Sequence, residues 1–336
     1  MANKWFDITD ERLMTFLGAL DRAFNKDAIP YMIVGGIAQQ VHMAKYLTAV
    51  HGRGLLDLAT SGDIDLSNCM RSTDNVDVAL GLVQDISYTE KINSLKADNK
   101  EAIETYGRKR KILSKGKRDA VDNLDMKERE RLSQLEAKFR VIDGERKAEG
   151  DSRIRSVFDS LADIELDYGG NIVTIKRIRK GYERQIYTLG VNGGQDNDRP
   201  LTVNLRREAR DVARNGCLGE LDPELYSHFL FESRKENVEY TDESNVSLNI
   251  MRPEDLLITK ILMWRSNDKK DALDLFNYAR ESGNPIKYDI VKSVLLRERE
   301  VKYIEDGKEK TFMMKNPVLV ERERLFREFV ESKPSA

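Results

Sequence analysis

The sequence predicts an α+β protein: a small mixed-sheet core with an inserted helical hairpin and a C-terminal helical domain. Three observations lead there. Short apolar runs between Gly, Asn and Asp clusters, as in strands, occur before about residue 85 and again from about 151 to 215. Between them, from 86 to 150, the chain is heavily charged, with sparse apolar residues at helical spacing. Beyond Asp222 the pattern is mainly helical. The expected division is 1–85 for the first part of the core, 86–150 for the insertion, 151–215 for the strands completing the core and 216–336 for the C-terminal domain.

Taken in order, Thr9 is a candidate N-cap for a helix that buries Leu13, Phe16, Leu17, Leu20 and Phe24 and ends at Ile29-Pro30. Tyr31 to Val34 reads as a strand, Gly35-Gly36 as a tight turn, and Ile37, Val41 and Ala44 as one face of a helix. Residues 48–72 read as irregular because Gly52, Gly54 and Gly62 break any period. Val76 to Val83 reads as a second strand. In the insertion, Leu132, Leu135, Phe139 and Ile142 repeat like a heptad seam, and a turn is expected near Ser114-Lys115-Gly116-Lys117. Strands are expected over 154–168, 171–178, 184–191 and 201–205, and helices from Pro253 to Trp264 and from Lys270 to Arg280.

Composition excludes several classes. Lys and Arg number 56 against 58 Asp and Glu, a net charge of -2, so nucleic-acid binding requires a local basic patch. Cys69 and Cys217 are far apart, which argues against a disulfide framework or a structural zinc site. The three histidines, His42, His51 and His228, lack metal-ligand spacing, and no Ser/His/Asp or Cys/His grouping points to a hydrolase. With no long apolar run and no leader-like N-terminus, a cytoplasmic protein without a membrane partner is expected.

The chemistry concentrates in Ile33-Val34-Gly35-Gly36-Ile37-Ala38 and Arg71-Ser72-Thr73-Asp74-Asn75-Val76-Asp77-Val78. Glycines between a strand and a helix let the backbone approach a ligand, and the helix N-terminus presents N–H groups to phosphate. The same turn also serves as a plain helix entry. Asn75 and Asp77 alternate, so they share one face of their strand and form a platform of oxygen ligands suited to Mg²⁺. An Asp/Asn pair can equally cap a turn. Lys260 sits among Leu256, Leu257, Met263 and Trp264, as a snorkelling lysine or one aimed at phosphate.

The order strand, Gly-Gly, helix, then Arg-x-Thr-x-(Asp/Asn)-Val-Asp-Val resembles the polymerase-β-like nucleotidyltransferase superfamily. Within it the chain is most similar to the AbiEii-like branch, toxins of type IV toxin–antitoxin systems. Arg252-Pro253-Glu254-Asp255-Leu256 through Lys260, then Arg265 and Lys270-Asp271-Ala272-Leu273-Asp274-Leu275, resemble that branch's second conserved stretch. The resemblance implies a nucleotidyltransferase core that moves a nucleotide from a nucleoside triphosphate to an acceptor, with Mg²⁺ as cofactor. It implies nucleotide contacts from Gly35, Gly36, Arg71, Thr73, Lys260, Asp271 and Asp274, and catalytic roles for Asn75, Asp77 and Lys260. RNA, tRNA among it, becomes the expected acceptor and an antitoxin protein an expected partner. The basic run from Arg108, Lys109, Arg110 and Lys111 to Arg118 is either a solvated face or the contact to RNA phosphates.

The chain departs from that pattern in three places. Asn75 stands where an aspartate is usual, which removes a charge from the metal platform and weakens Mg²⁺ binding unless Asp74 or another carboxylate compensates. The segment from Gly36 to Arg71 is long and holds a second Asp-x-Asp, Asp63 and Asp65, as an alternative metal pair. The third carboxylate is unassigned: Asn204 is suitably placed but neutral, whereas Asp163, Glu165 and Asp167 alternate correctly but lie earlier.

Overall fold

A computed structural model describes residues 8–62, 64–65, 70, 72–80, 91, 94–100, 126–161, 164–168, 170–179, 184–191, 199–206, 235–240, 246–305 and 308–332. The chain divides into two compact units, one formed by Met1–Leu80 with Asp159–Ala336 and the other by Gly81–Phe158. Among the described residues no helix is long and apolar enough to cross a membrane.

The larger unit is built on one mixed sheet. Its strands are β1 (Tyr31–Val34), β2 (Asn75–Leu80), β3 (Ile164–Tyr168), β4 (Asn171–Arg179), β5 (Arg184–Val191), β6 (Arg199–Arg206), β7 (Lys235–Tyr240) and β8 (Val246–Met251). They lie in the order β3-β4-β5-β6-β2-β1-β8-β7. β1 pairs antiparallel with β2 and parallel with β8, and β2 pairs parallel with β6. The central strands bury Ile33, Val76, Val78, Val203 and Ile250, as β-branched and apolar residues on a covered sheet should.

Helix α1 (Glu11–Lys26) packs against β8 and β5. Its Leu13, Phe16, Leu17, Leu20 and Phe24 are all buried, as their spacing requires. The N-cap is Asp10, one residue beyond the expected Thr9, with its carboxylate accepting from the Arg12 N–H. Phe24 stacks on Tyr31 at 4.8 Å, and burial together with Asp21 pushes the Tyr31 phenol well above its ordinary range.

Helix α2 (Gly35–His51) begins at the first glycine itself, so Gly35-Gly36 is the opening of the helix and not a turn before it. The expectation of irregular chain over 48–72 is corrected. α2 runs to His51 and stops at Gly52, and α3 (Leu55–Ser61) stops at Gly62; both glycines are left-handed C-caps. The residues read as breakers are terminators of regular helices.

Two further corrections concern strands. Residues 154–160 close the long helix α4 (Met126–Ser160), where Ile154, Val157 and Phe158 are buried at helical spacing. Beyond Asp222 the chain is helical in α5 (Pro253–Met263), α6 (Ser266–Glu281), α7 (Tyr288–Leu295) and α8 (Pro317–Ser332), but not throughout. β7 and β8 return it to the main sheet, and β9 (Glu298–Glu305) with β10 (Lys308–Lys315) forms a separate antiparallel ribbon. α5 starts at Pro253 as expected, whereas α6 begins four residues before Lys270. Phe276, Tyr288 and Phe326 pack α6, α7 and α8 together, with ring centroids 5.7 to 5.9 Å apart.

Among its described residues the smaller unit consists mainly of α4, about 50 Å long at 1.5 Å per residue. Of the expected seam, Leu135 is buried and Phe139 and Ile142 are half-buried. The expected turn near Ser114 lies outside the described residues.

Candidate functional site

The site forms where β1 runs out into α2. In the β1–β2 ladder Val34 lies opposite Asp77, so the residue after Val34 meets the Asp77 carboxylate. A Cβ added to Gly35 would come within 3.0 Å of Asp77 Oδ2, and Gly35 has φ +69. Only glycine meets both demands without strain. A Cβ on Gly36 would lie 3.6 Å from the Thr73 hydroxyl. Thr73 Oγ1 accepts from the Asn75 N–H at 3.1 Å, shaping the entry to β2.

β2 buries Val76 and Val78 and turns Asn75 and Asp77 to its half-buried face, as its alternation predicts. The parallel ladder with β6 adds the next neighbour. Asn75 lies opposite Thr202 and Asp77 opposite Asn204, and Asn204 Nδ2 donates to Asp77 Oδ1 at 3.1 Å. The Asp77 carboxylate therefore faces the α2 N-terminus on one side, where the helix dipole favours a negative charge, and an amide donor on the other. Val34, the N-cap of α2, makes no side-chain capping bond.

A second cluster lies on α5 and α6. Lys260 Nζ bonds Asp271 Oδ2 at 2.5 Å and lies 3.6 Å from Asp268 Oδ1, and Arg265 Nε reaches Asp268 Oδ2 at 2.6 Å. Lys260, Asp268 and Asp271 are buried, and Asp274 is half-buried. α2 is tied to the same region: Gln39 Nε2 donates to the Asp271 carbonyl at 3.0 Å, and His42 Nε2 lies 2.8 Å from the Met251 carbonyl. Gln39 is one helical turn from Gly35, so the helix that opens at the glycines is anchored against α6. Gln39→Met keeps the length and apolar bulk of the side chain while removing that donor. It is expected to cost about 1 kcal/mol in urea denaturation.

The structure thus brings Gly35, Gly36, Thr73, Asn75 and Asp77 together with Asn204, and brings Lys260 to Asp271. Asp65 is exposed and outside any helix or strand. Arg71, Asp63, Asp163, Arg108, Lys109, Arg110 and Lys111 lie outside the described residues. Glu165 and Asp167 are removed as third ligands: β4, β5 and β6 stand between β3 and β2, a separation of about 19 Å at about 4.8 Å per strand. Asp167 instead accepts from the Gly170 N–H in the β3–β4 turn. Gln39 and Asp268 have no place in the sequence reading, and His42, named there only as a histidine without metal-ligand spacing, is buried. The available signal was the polar group Gln39, Gln40 and His42 set among the apolar residues Ile37, Ala38, Val41 and Met43 of one helix.

Among the described residues no three His, Cys, Asp or Glu side chains are grouped to hold a metal. Mg²⁺ also accepts amide and phosphate oxygens, and a single ion commonly rests on one or two carboxylates plus substrate phosphates. Asp77 with the Asn75 amide oxygen fits that lighter requirement. The chain has no match among protein-family models, curated proteins or solved structures.

Proposed function

We propose that the chain is a Mg²⁺-dependent nucleotidyltransferase that moves a nucleoside monophosphate from a triphosphate to an acceptor. The observation that carries this reading is the close approach of Gly35 to Asp77: a helix N-terminus without a side-chain cap opens beside a strand-borne carboxylate. The first amides of α2 bind phosphate oxygens, and the glycines admit the triphosphate close to the backbone. Asp77 and Asn75 would hold Mg²⁺, which when bound neutralises the triphosphate and stabilises the departing pyrophosphate. An acceptor hydroxyl attacks the α-phosphorus, its proton passes to solvent, and pyrophosphate leaves. RNA is proposed as the acceptor, on the basic run from Arg108 to Arg118.

Calorimetry with each of the four nucleoside triphosphates and Mg²⁺ tests the binding step. At least one is expected to bind, and Asp77→Ala to abolish that binding; no binding to any, or binding that survives Asp77→Ala, rejects the reading. Incubation with RNA and each labelled triphosphate then tests transfer. Label in the RNA is expected with the wild type alone.

A second reading, a nucleotide-binding module without transfer activity, is favoured by Asn75, two residues before Asp77 on the same face of β2, and by Asn204, opposite it on β6, both of which are neutral amides. Metal-dependent pyrophosphate release that disappears in Asp77→Ala would eliminate it.

A further inference from the structure

We propose that Asn204 is a positioning residue that adapts this site to a single divalent ion, the one carried on the triphosphate; the inference rests on the nucleotide-binding reading above. The parallel β2–β6 ladder puts Asn204 directly opposite Asp77, and its amide nitrogen donates to Asp77 Oδ1 at 3.1 Å. That bond has two consequences. It fixes the rotation of the Asp77 carboxylate, presenting Oδ2 toward Gly35, where the added-Cβ distance is 3.0 Å. It also turns the N–H side of the Asn204 amide, and not its oxygen, to the carboxylate.

Charge leads to the same conclusion. The two strands offer Asn75, Asp77 and Asn204 at this place, which is one negative charge and two neutral amides. Two divalent ions bring four positive charges, and hard cations of this kind are held by carboxylates. One ion already neutralised by a triphosphate is compatible with a lone carboxylate. Two ions are not. Glu165 and Asp167 cannot repair the deficit from the far edge of the sheet.

The test counts Mn²⁺ on the full chain by electron paramagnetic resonance, with and without a non-hydrolysable nucleoside triphosphate. The wild type is expected to bind one Mn²⁺ per chain with the nucleotide and none tightly without it. Asn204→Ala is expected to weaken Mn²⁺–nucleotide binding by about 10- to 100-fold, the usual effect of losing a bond that orients a ligand. Asn204→Asp is expected to admit a second Mn²⁺ and to bind Mn²⁺ without nucleotide. Should that variant not fold, Asn75→Asp adds a carboxylate on the same face of β2 and is expected to give the same second ion.

Two Mn²⁺ on the wild type, an unchanged affinity in Asn204→Ala, or one Mn²⁺ in a folded carboxylate variant would overturn the inference while leaving nucleotide binding intact. A wild type that binds no triphosphate would overturn both.

Discussion

Replacing Lys260 by alanine is expected to lower the unfolding free energy by about 3–5 kcal/mol, the usual cost of breaking a buried ion pair from one side. Lys260 and Asp271 are 8 % and 11 % exposed in their side chains, so water compensates little when the ammonium is removed. Asp268 keeps Arg265, whereas Asp271 loses its closest cation. Urea denaturation measures the loss. The double variant Lys260→Met with Asp271→Leu removes both charges and retains apolar volume, and is expected to recover a large part of it, since a well-packed apolar pair is often as stable as a buried ion pair. A Lys260→Ala midpoint equal to the wild type would show that the pair contributes nothing. Because Gln39 ties α2 to the backbone of Asp271, the single variant is also expected to weaken nucleotide binding through the helix that opens at Gly35.

Gly35→Ala is expected to weaken nucleotide binding by at least about tenfold while the chain still folds. The backbone cost of a left-handed alanine is about 1–2 kcal/mol. The larger effect is local. The new methyl would lie 3.0 Å from Asp77 Oδ2, so the carboxylate has to move by a few tenths of an ångström at the proposed nucleotide site. An affinity loss of at least about tenfold, equal to about 1.4 kcal/mol, is expected in calorimetry. Gly36→Ala is the control. Its Cβ meets Thr73 at an ordinary 3.6 Å and its φ is not positive, so near-wild-type stability is expected. Equal binding by Gly35→Ala and the wild type would remove the close approach from the site.

Much of the local structure was legible because it depends on periodicity. The α1 stripe from Leu13 to Phe24, the Val76/Val78 alternation that turns Asn75 and Asp77 to one face, and the Pro253 helix start all follow from residues within a few positions of one another. The errors arose where one local pattern fits two structures. Gly52 and Gly62 were read as breakers though they terminate helices, and Ile154-Val157-Phe158 was read as β-branched strand though its spacing is helical. The β7–β8 and β9–β10 hairpins carried a usable period-two signal in Val246, Leu248 and Ile250 and in the Asp306-Gly307 dipeptide, a common two-residue hairpin link. It was masked by the charged residues around it.

The sequence by itself determined that a glycine pair follows an apolar strand, that Asn75 and Asp77 share a face, and that only one of those two is charged. Each is a property of a short stretch, carried by side-chain type and spacing alone. The tertiary structure decided what those residues meet. Asn204 reaches Asp77 across 127 residues of chain, Gln39 reaches Asp271 across 232, and Lys260 is drawn onto Asp271 where its spacing suggested an apolar face or a phosphate. The physical reason is register: which residue stands opposite Asp77 is set by how β6 slides against β2, and that is fixed by burying Val76, Val78, Val203 and Leu205 together in one core.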